Sequence, residues 1–162
     1  MPFKPDTLRV NNATYSWNSC STSINNFPFQ GILGIDFDET IERELVYAQT
    51  RANKPIARTE GKYTPTLKIT MLRDTFLDSF VPLLRAQGVI LGGVGWGRVE
   101  FQTQLQYTHR QIGTHTIDFV DCVVAKQSQA NQQGIEAAKT ELEISLMDIL
   151  LDGFSMASAG LI

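Results

Sequence analysis

From Ile35 to Tyr47 the chain alternates in a way few folds can use. The odd positions carry Ile35, Phe37, Glu39, Ile41, Arg43, Leu45 and Tyr47, and the even positions Asp36, Asp38, Thr40, Glu42, Glu44 and Val46. An extended chain sends successive side chains to opposite faces with a period of two, whereas a helix repeats every 3.6 residues. The run therefore reads as one long strand, with a mostly apolar face and a face bearing four carboxylates. Such a strand must cover its apolar face and find partners for its edges, which restricts the chain to a fold of amphipathic sheets.

The same period recurs downstream. Leu67, Ile69 and Met71 alternate with Thr66, Lys68 and Thr70, so Tyr63 to Leu72 reads as a second strand, with Pro65 suited to an edge or strand entry. Between the two strands, 48–63 carries Arg51, Lys54, Pro55, Arg58, Gly61, Lys62 and Tyr63 and reads as a long basic interaction loop. Val99 to Tyr107, His115 to Ala125 and about Thr140 to Leu151 supply further strands, with a polar loop over Lys126 to Gly134. A helix competes over Ile135 to Leu151, and the alternation of Leu142, Ile144 and Leu146 favours strand from Thr140.

One segment has the helical period. Phe76, Leu77, Phe80, Leu83 and Leu84 form a stripe within Arg73 to Gln87, Gly88 is placed to end that helix, and Pro82 should kink or split it. Residues 1–30 are rich in Asn, Ser, Thr and Pro and read as an irregular segment, with a short strand at Ala13 to Trp17 and a turn near Asn25. The fold class that follows is mainly β: a sandwich or open barrel of antiparallel strands with one flanking helix at about 73–87. At 162 residues, 1–162 is expected to be a single domain.

A formal net charge of −3 argues against a dedicated nucleic-acid binder but not against a surface that nucleic acid passes. Cys20 and Cys122 are far apart and lack metal-ligand spacing, so two free thiols are expected. The N-terminus lacks the apolar stretch of a signal peptide, and no apolar run approaches membrane-spanning length. The expectation is a soluble chain made in a cytoplasm, without a membrane partner.

Several motifs compete for a function. Gly34-Ile35-Asp36-Phe37-Asp38-Glu39-Thr40 matches the nucleophile loop of haloacid-dehalogenase-type phosphatases, in which Asp36 would attack phosphorus and Asp38 act as acid and base beside Mg²⁺. That chemistry needs the loop at the carboxyl end of a strand in an α/β sheet, and here the strand period continues through Tyr47. The acid row attracts hard cations, but same-face neighbours on one strand stand ~7 Å apart, too far for a compact cage. The glycines at 92–97 lack the Gly-Lys-Ser/Thr of a phosphate loop. His109 and His115 flank a turn without a third ligand, and a small-ligand β-barrel is a further reading. No catalytic residue, metal or cofactor is assigned.

The order of features resembles the phage tail tube protein family, to which type VI secretion and pyocin tube proteins are related. The resemblance rests on Gly31 to Phe37 leading into Glu42 to Tyr47, on Pro55 to Tyr63 with its Arg58-Thr59-Glu60-Gly61-Lys62-Tyr63 segment, and on the strand, helix and strands that follow to Gly153. It implies a non-enzymatic virion protein whose subunits close into rings, six to a ring, with a continuous inner barrel. Stacked rings would form the hollow tail tube through which DNA passes. The implied partners are other copies of the chain, a tail terminator, a baseplate or tail tip, a tape measure and a sheath. Asp36, Asp38, Thr40, Glu42 and Glu44 are then candidates for the lumen, and Arg51, Lys54, Arg58, Lys62 and Tyr63 for contacts between rings.

Overall fold

The computed structural model describes residues 20–47, 54–109, 113–130 and 138–157. Nine strands follow in chain order: β1 (Cys20–Ile24), β2 (Phe27–Phe29), β3 (Ile32–Tyr47), β4 (Pro55–Leu72), β5 (Phe101–His109), β6 (Gly113–Gln129), β7 (Lys139–Ser145), β8 (Asp148–Leu151) and β9 (Phe154–Ser155). The main path of pairing is β2-β1-β5-β6-β7-β4-β3, every neighbour antiparallel, and it does not close on itself. The expected mainly antiparallel β architecture with a flanking helix is the one observed.

Strand β6 makes this one sheet into two layers. Its first part pairs with β5 on one edge, while β8 and then β7 run along the other in a single register from Ile117↔Leu151 to Val123↔Ser145. The direction changes at Asp121, which adopts a left-handed φ of 52°. Gln102 braces this residue from β5: its amide Nε2 donates to Asp121 Oδ1 at 3.0 Å and its Oε1 accepts from Asp121 N at 3.2 Å. A bulge in the β5–β6 register there, and a second between Val124 and Lys126, bend β6 from one layer into the next.

The core lies between the layers. Ile69, Leu67, Leu142 and Ile144 face inward from β4 and β7, opposite Phe101, Leu105, Phe119 and Ile149. Phe37 of β3 meets Phe119 of β6 edge to face, with ring centres 5.3 Å apart. A helical segment, α1, closes one flank: Arg73–Thr75, a π-helical turn over Phe76–Phe80, and Val81–Ile90. The wider turn carries Val81 N back to Phe76 O and leaves Pro82 at the start of the last stretch, where its missing N–H leaves no bond unmade. Phe76, Phe80 and Leu84 then align toward Val99 and Phe101, the rings of Phe80 and Phe101 standing 5.5 Å apart.

Several expectations are corrected. Pro55 to Tyr63 is strand rather than loop, because it pairs with β3 out to Tyr47. The N-terminal segment is not irregular throughout: Asn25 and Asn26, with φ of 51° and 67°, turn β1 tightly onto β2. Lys126 to Gln129 continues β6 because β7 extends far enough to pair with it. The last strand breaks at Leu146 and Met147 into β7 and β8, although Met147 N still donates to Val120 O. Leu77 is exposed because the π turn rotates it out of the stripe. The strand expected at Ala13 to Trp17, residues 110–112 of the turn between His109 and His115, and the start of the alternative helix at 135–137 fall outside the described residues.

Gly88 does not end α1; it is buried inside it. Its carbonyl accepts from Gly93 N and Val94 N at 2.9 and 3.0 Å, drawing the following loop onto the helix. A Cβ on Gly88 would stand 2.3 Å from the Val94 carbonyl oxygen, whereas one on Gly95 would meet open space. Gly88→Ala should therefore destabilise the fold by about 1–3 kcal/mol in urea unfolding, and Gly95→Ala by less than about 0.5 kcal/mol. Equal effects would contradict the close approach.

Candidate functional site

The acid row sits where the alternation places it, on the face of β3 turned away from the core. Asp36, Asp38, Thr40, Glu42 and Glu44 are all exposed, and Ile35, Phe37, Glu39 and Ile41 point the other way and are half-buried. The sheet makes this row part of a larger surface. Asp36 stands opposite Lys68 on β4, Lys68 opposite Glu143 on β7, and Glu143 opposite Lys126 on β6. Directly opposed residues share a face, so the four strands carry a row of alternating charge from one edge to the other. One step along, Gly34, Thr70, Glu141 and Ser128 form the next row on that face. Lys68 Nζ lies 3.3 Å from Glu141 Oε2, a diagonal pair exposed enough to add little stability.

The face remains acidic. Six carboxylates (Asp36, Asp38, Glu42, Glu44, Glu141 and Glu143) share it with Lys68, Lys126 and Lys139, and β4 adds the exposed hydroxyls of Thr64 and Thr66 and the half-buried one of Thr70. Lys68, Glu141 and Glu143 were legible as polar positions of their own strands, whereas Lys126 was expected in a loop. Their common face was not, because it depends on pairing strands far apart in sequence.

Beyond the reach of β7, which pairs with β4 only over Leu67 to Leu72, β3 and β4 run on as a two-stranded ribbon. From Thr40 to Tyr47 it extends ~25 Å at the usual rise of a strand. A bulge interrupts it, leaving Gly61 and Lys62 against Glu42. Arg43 Nε and Glu60 Oε1 are 3.8 Å apart just beyond, and past that pair the described residues include two cations, Lys54 and Arg58, and one carboxylate, Glu44. Leu45, Val46, Tyr47 and Ile56 are exposed at the tip, Tyr47 and Ile56 each by 60%. An isolated two-stranded ribbon is marginal in water, and one with apolar side chains bare on its end is built to be covered.

Of the residues expected to meet a neighbour through the 48–63 segment, the structure places Lys54, Arg58 and Lys62 on this ribbon, exposed. Arg51 falls outside the described residues. Tyr63 lies elsewhere: half-buried on the inward face, it donates from its hydroxyl to Glu39 Oε1 at 2.5 Å. Burial first, and the bond to Glu39 second, push its phenol well above the ordinary tyrosine range. Sequence reasoning assigned it to the surface because the basic residues around it suggested a loop.

The remaining candidates separate. Asp36 and Asp38 stand mid-strand in an antiparallel ladder, not at the carboxyl end of a parallel strand as the phosphatase reading requires. Asp118 and Asp121 are held on the other layer by Gln104 and Gln102. His115 Nδ1 is 2.8 Å from Asp152, whose carboxylate also accepts from Thr116 N and is held below the usual carboxylate range, chiefly by that backbone bond. This contact fastens the β8–β9 turn to the start of β6. Cys20 and Cys122 are free, and burial raises both thiols.

No protein-family model and no curated protein matches the sequence. Solved structures do match the fold. The chain is similar to one from the sheath–tube complex of an extracellular contractile injection system in its extended state, with a TM-score of 0.60 over 94% of this chain and 99% of that chain at 7% identity. It is also similar to a chain of the anti-feeding prophage tube-terminating cap, with a TM-score of 0.59 over 88% and 93% of the two chains at 6% identity. The SPP1 tail tube gives a TM-score of 0.58 over 87% and 80% at 9% identity. The fold is that of tail tube proteins. At these identities the tail-tube fold is kept by alternation and pairing, with few individual residues in common.

The inward placement of Tyr63 has a pH signature. An unfolded tyrosine ionises near its reference value of 10.0, while the native phenol holds its proton higher. Its stabilisation is complete below pH 10 and is lost as pH rises toward the native value. Tyr63→Phe should cost about 0.5–1.5 kcal/mol at pH 8. In urea unfolding, its gap to the wild type should narrow above pH 10. A gap unchanged to pH 11 would place Tyr63 in solvent.

Proposed function

We propose that this chain is a structural protein of a phage-type tail, whose copies close into rings that stack into a hollow tube. The observation that carries this reading is the four-stranded layer β6-β7-β4-β3. It has a polar face, an apolar face already used by the core and, among the described residues, open backbone edges on its outermost strands. Open edges of this length invite pairing with another chain, and closing several copies into one barrel removes them. The likeness to tail tube and injection-system chains supports the same reading. Six copies to a ring follows from the family resemblance.

In this arrangement the face bearing Asp36, Asp38, Thr40, Glu42 and Glu44 lines the lumen. Its excess of carboxylates repels the phosphates of DNA, so the nucleic acid passes without sticking. The ribbon, with Lys54, Arg58 and Lys62 and its apolar tip, reaches the adjoining ring. Arg51 is proposed to act with them, whereas Tyr63 braces the base of the ribbon from within. A head-to-tail contact of this kind is heterologous and grows without closing, as a tube requires. The chain ends of the tube meet a terminator and a tail tip or baseplate, with a tape measure inside and, in a contractile tail, a sheath outside. The protein is carried in the virion after synthesis in the host cytoplasm.

Negative-stain imaging of the purified chain over a range of concentrations tests the proposal. Wild type should give rings and hollow tubes, and a Lys54→Glu, Arg58→Glu double variant should give rings that no longer stack. A wild type that remains monomeric at every concentration would refute the tube reading, and a double variant that forms normal tubes would refute the role of the ribbon.

A further inference from the structure

The row of alternating charge across the four-stranded layer runs Asp36, Lys68, Glu143, Lys126, so it begins with an anion on one open edge and ends with a cation on the other. Among the described residues β3 pairs only with β4, and β6 beyond Cys122 has β7 on one side and no strand on the other. Within that free part of β6, Val123 to Gln129, Lys126 is the single charged residue. Both Asp36 and Lys126 are exposed.

From this we infer that the seam between copies joins the free edge of β6 in one copy to the free edge of β3 in the next, with Lys126 meeting the Asp36–Asp38 pair. The inference rests on the ring reading and identifies its joint. Strand directions permit it: β3, β4, β7 and β6 alternate, so β6 meets the β3 of a neighbour antiparallel, and an even number of strands per copy keeps the alternation unbroken around any ring. Charge continues in the same way, each Lys126 placed between Glu143 of its own copy and an aspartate of the next. Opposed charges across a strand pair are favourable, and like charges are not.

A closed barrel also needs stagger between copies. Only an even number of residues keeps polar side chains on the polar face, because a shift of one residue exchanges the faces. No stagger places Lys126 against Asp36, and a stagger of two residues places it against Asp38, so the acid row keeps a partner for the lysine through the smallest adjustments. The other edge residues of β6 beside it, Gln127, Ser128 and Gln129, have no charge to oppose. The same acid row has a second consequence: two β3 edges brought together would set carboxylates against carboxylates, which discourages the wrong pairing.

Disulfide trapping tests the seam in assembled protein. Directly opposed residues of an antiparallel pair have Cα atoms 4.5–5.5 Å apart, within disulfide reach. With Cys20→Ser to remove the half-exposed native thiol, Asp36→Cys/Lys126→Cys and Asp38→Cys/Lys126→Cys chains are assembled and oxidised. At least one of the two should give a covalent ladder on a denaturing gel, ending at the ring number. Mixing chains bearing Lys126→Cys alone with chains bearing the matching aspartate change alone should stop at dimers. Phe37→Cys/Lys126→Cys, with Phe37 on the opposite face, should not cross-link. Rings seen by electron microscopy without cross-linking from either aspartate position would overturn the seam while leaving the ring reading intact. Absence of rings in the reduced wild type would overturn the ring reading itself.

Discussion

A backbone amide or carbonyl on the edge of a sheet must have a partner or water, and this requirement organises the molecule. Inside the chain it is met by long antiparallel ladders, with β6 shared between two layers so that one strand serves both. At the outside, among the described residues, no strand meets it. Strand β3, 16 residues long, pairs there only with β4, and the ribbon the two form projects past the other described strands. That edge carries the carboxylates Asp36, Asp38, Glu42 and Glu44, and the far edge of the layer carries Lys126. The surface that makes the single copy incomplete is the surface that would make an assembly.

The apolar core and the helix hold the two edges in fixed relation. Phe37 against Phe119 ties β3 to β6 across the layers, so the free strand cannot slide without disturbing the core. Asp121, bent into a left-handed conformation and bracketed by Gln102, redirects β6 so that its second part can reach β7. The π turn in α1 accommodates Pro82 and brings Phe80 against Phe101 of β5 and Phe76 against Trp96. Exposed apolar residues occur at the ribbon tip and at Val89 and Ile90 beyond the packed part of the helix, and also singly elsewhere, as at Phe27, Met147 and Phe154.

The sequence showed much of this because alternation is a local property. The two faces of β3, the inward set of β7 and the helical stripe around Phe80 were all readable from spacing. What spacing could not show was how far a ladder continues. Arg58, Gly61 and Lys62 carry turn-like composition, and only pairing with β3 makes them strand. Tyr63 was misplaced for the same reason, since its neighbours in sequence are basic while its neighbour in space is Glu39. Gly88 has the look of a helix end, and its real constraint is the Val94 carbonyl lying against it. The row from Asp36 to Lys126 was least accessible, because it joins residues 90 positions apart through two intervening strands.

Amide hydrogen exchange, read on assembled protein and on the dilute single copy, addresses the central claim that the open edges of the four-stranded layer are completed by another copy. Assembly should slow exchange along β3 between Leu33 and Ile41 and along β6 from Val123 to Gln129, while β1 and β5, already paired within the copy, change little. Assembled tubes in which the β3 edge exchanges as fast as in the single copy would contradict the account.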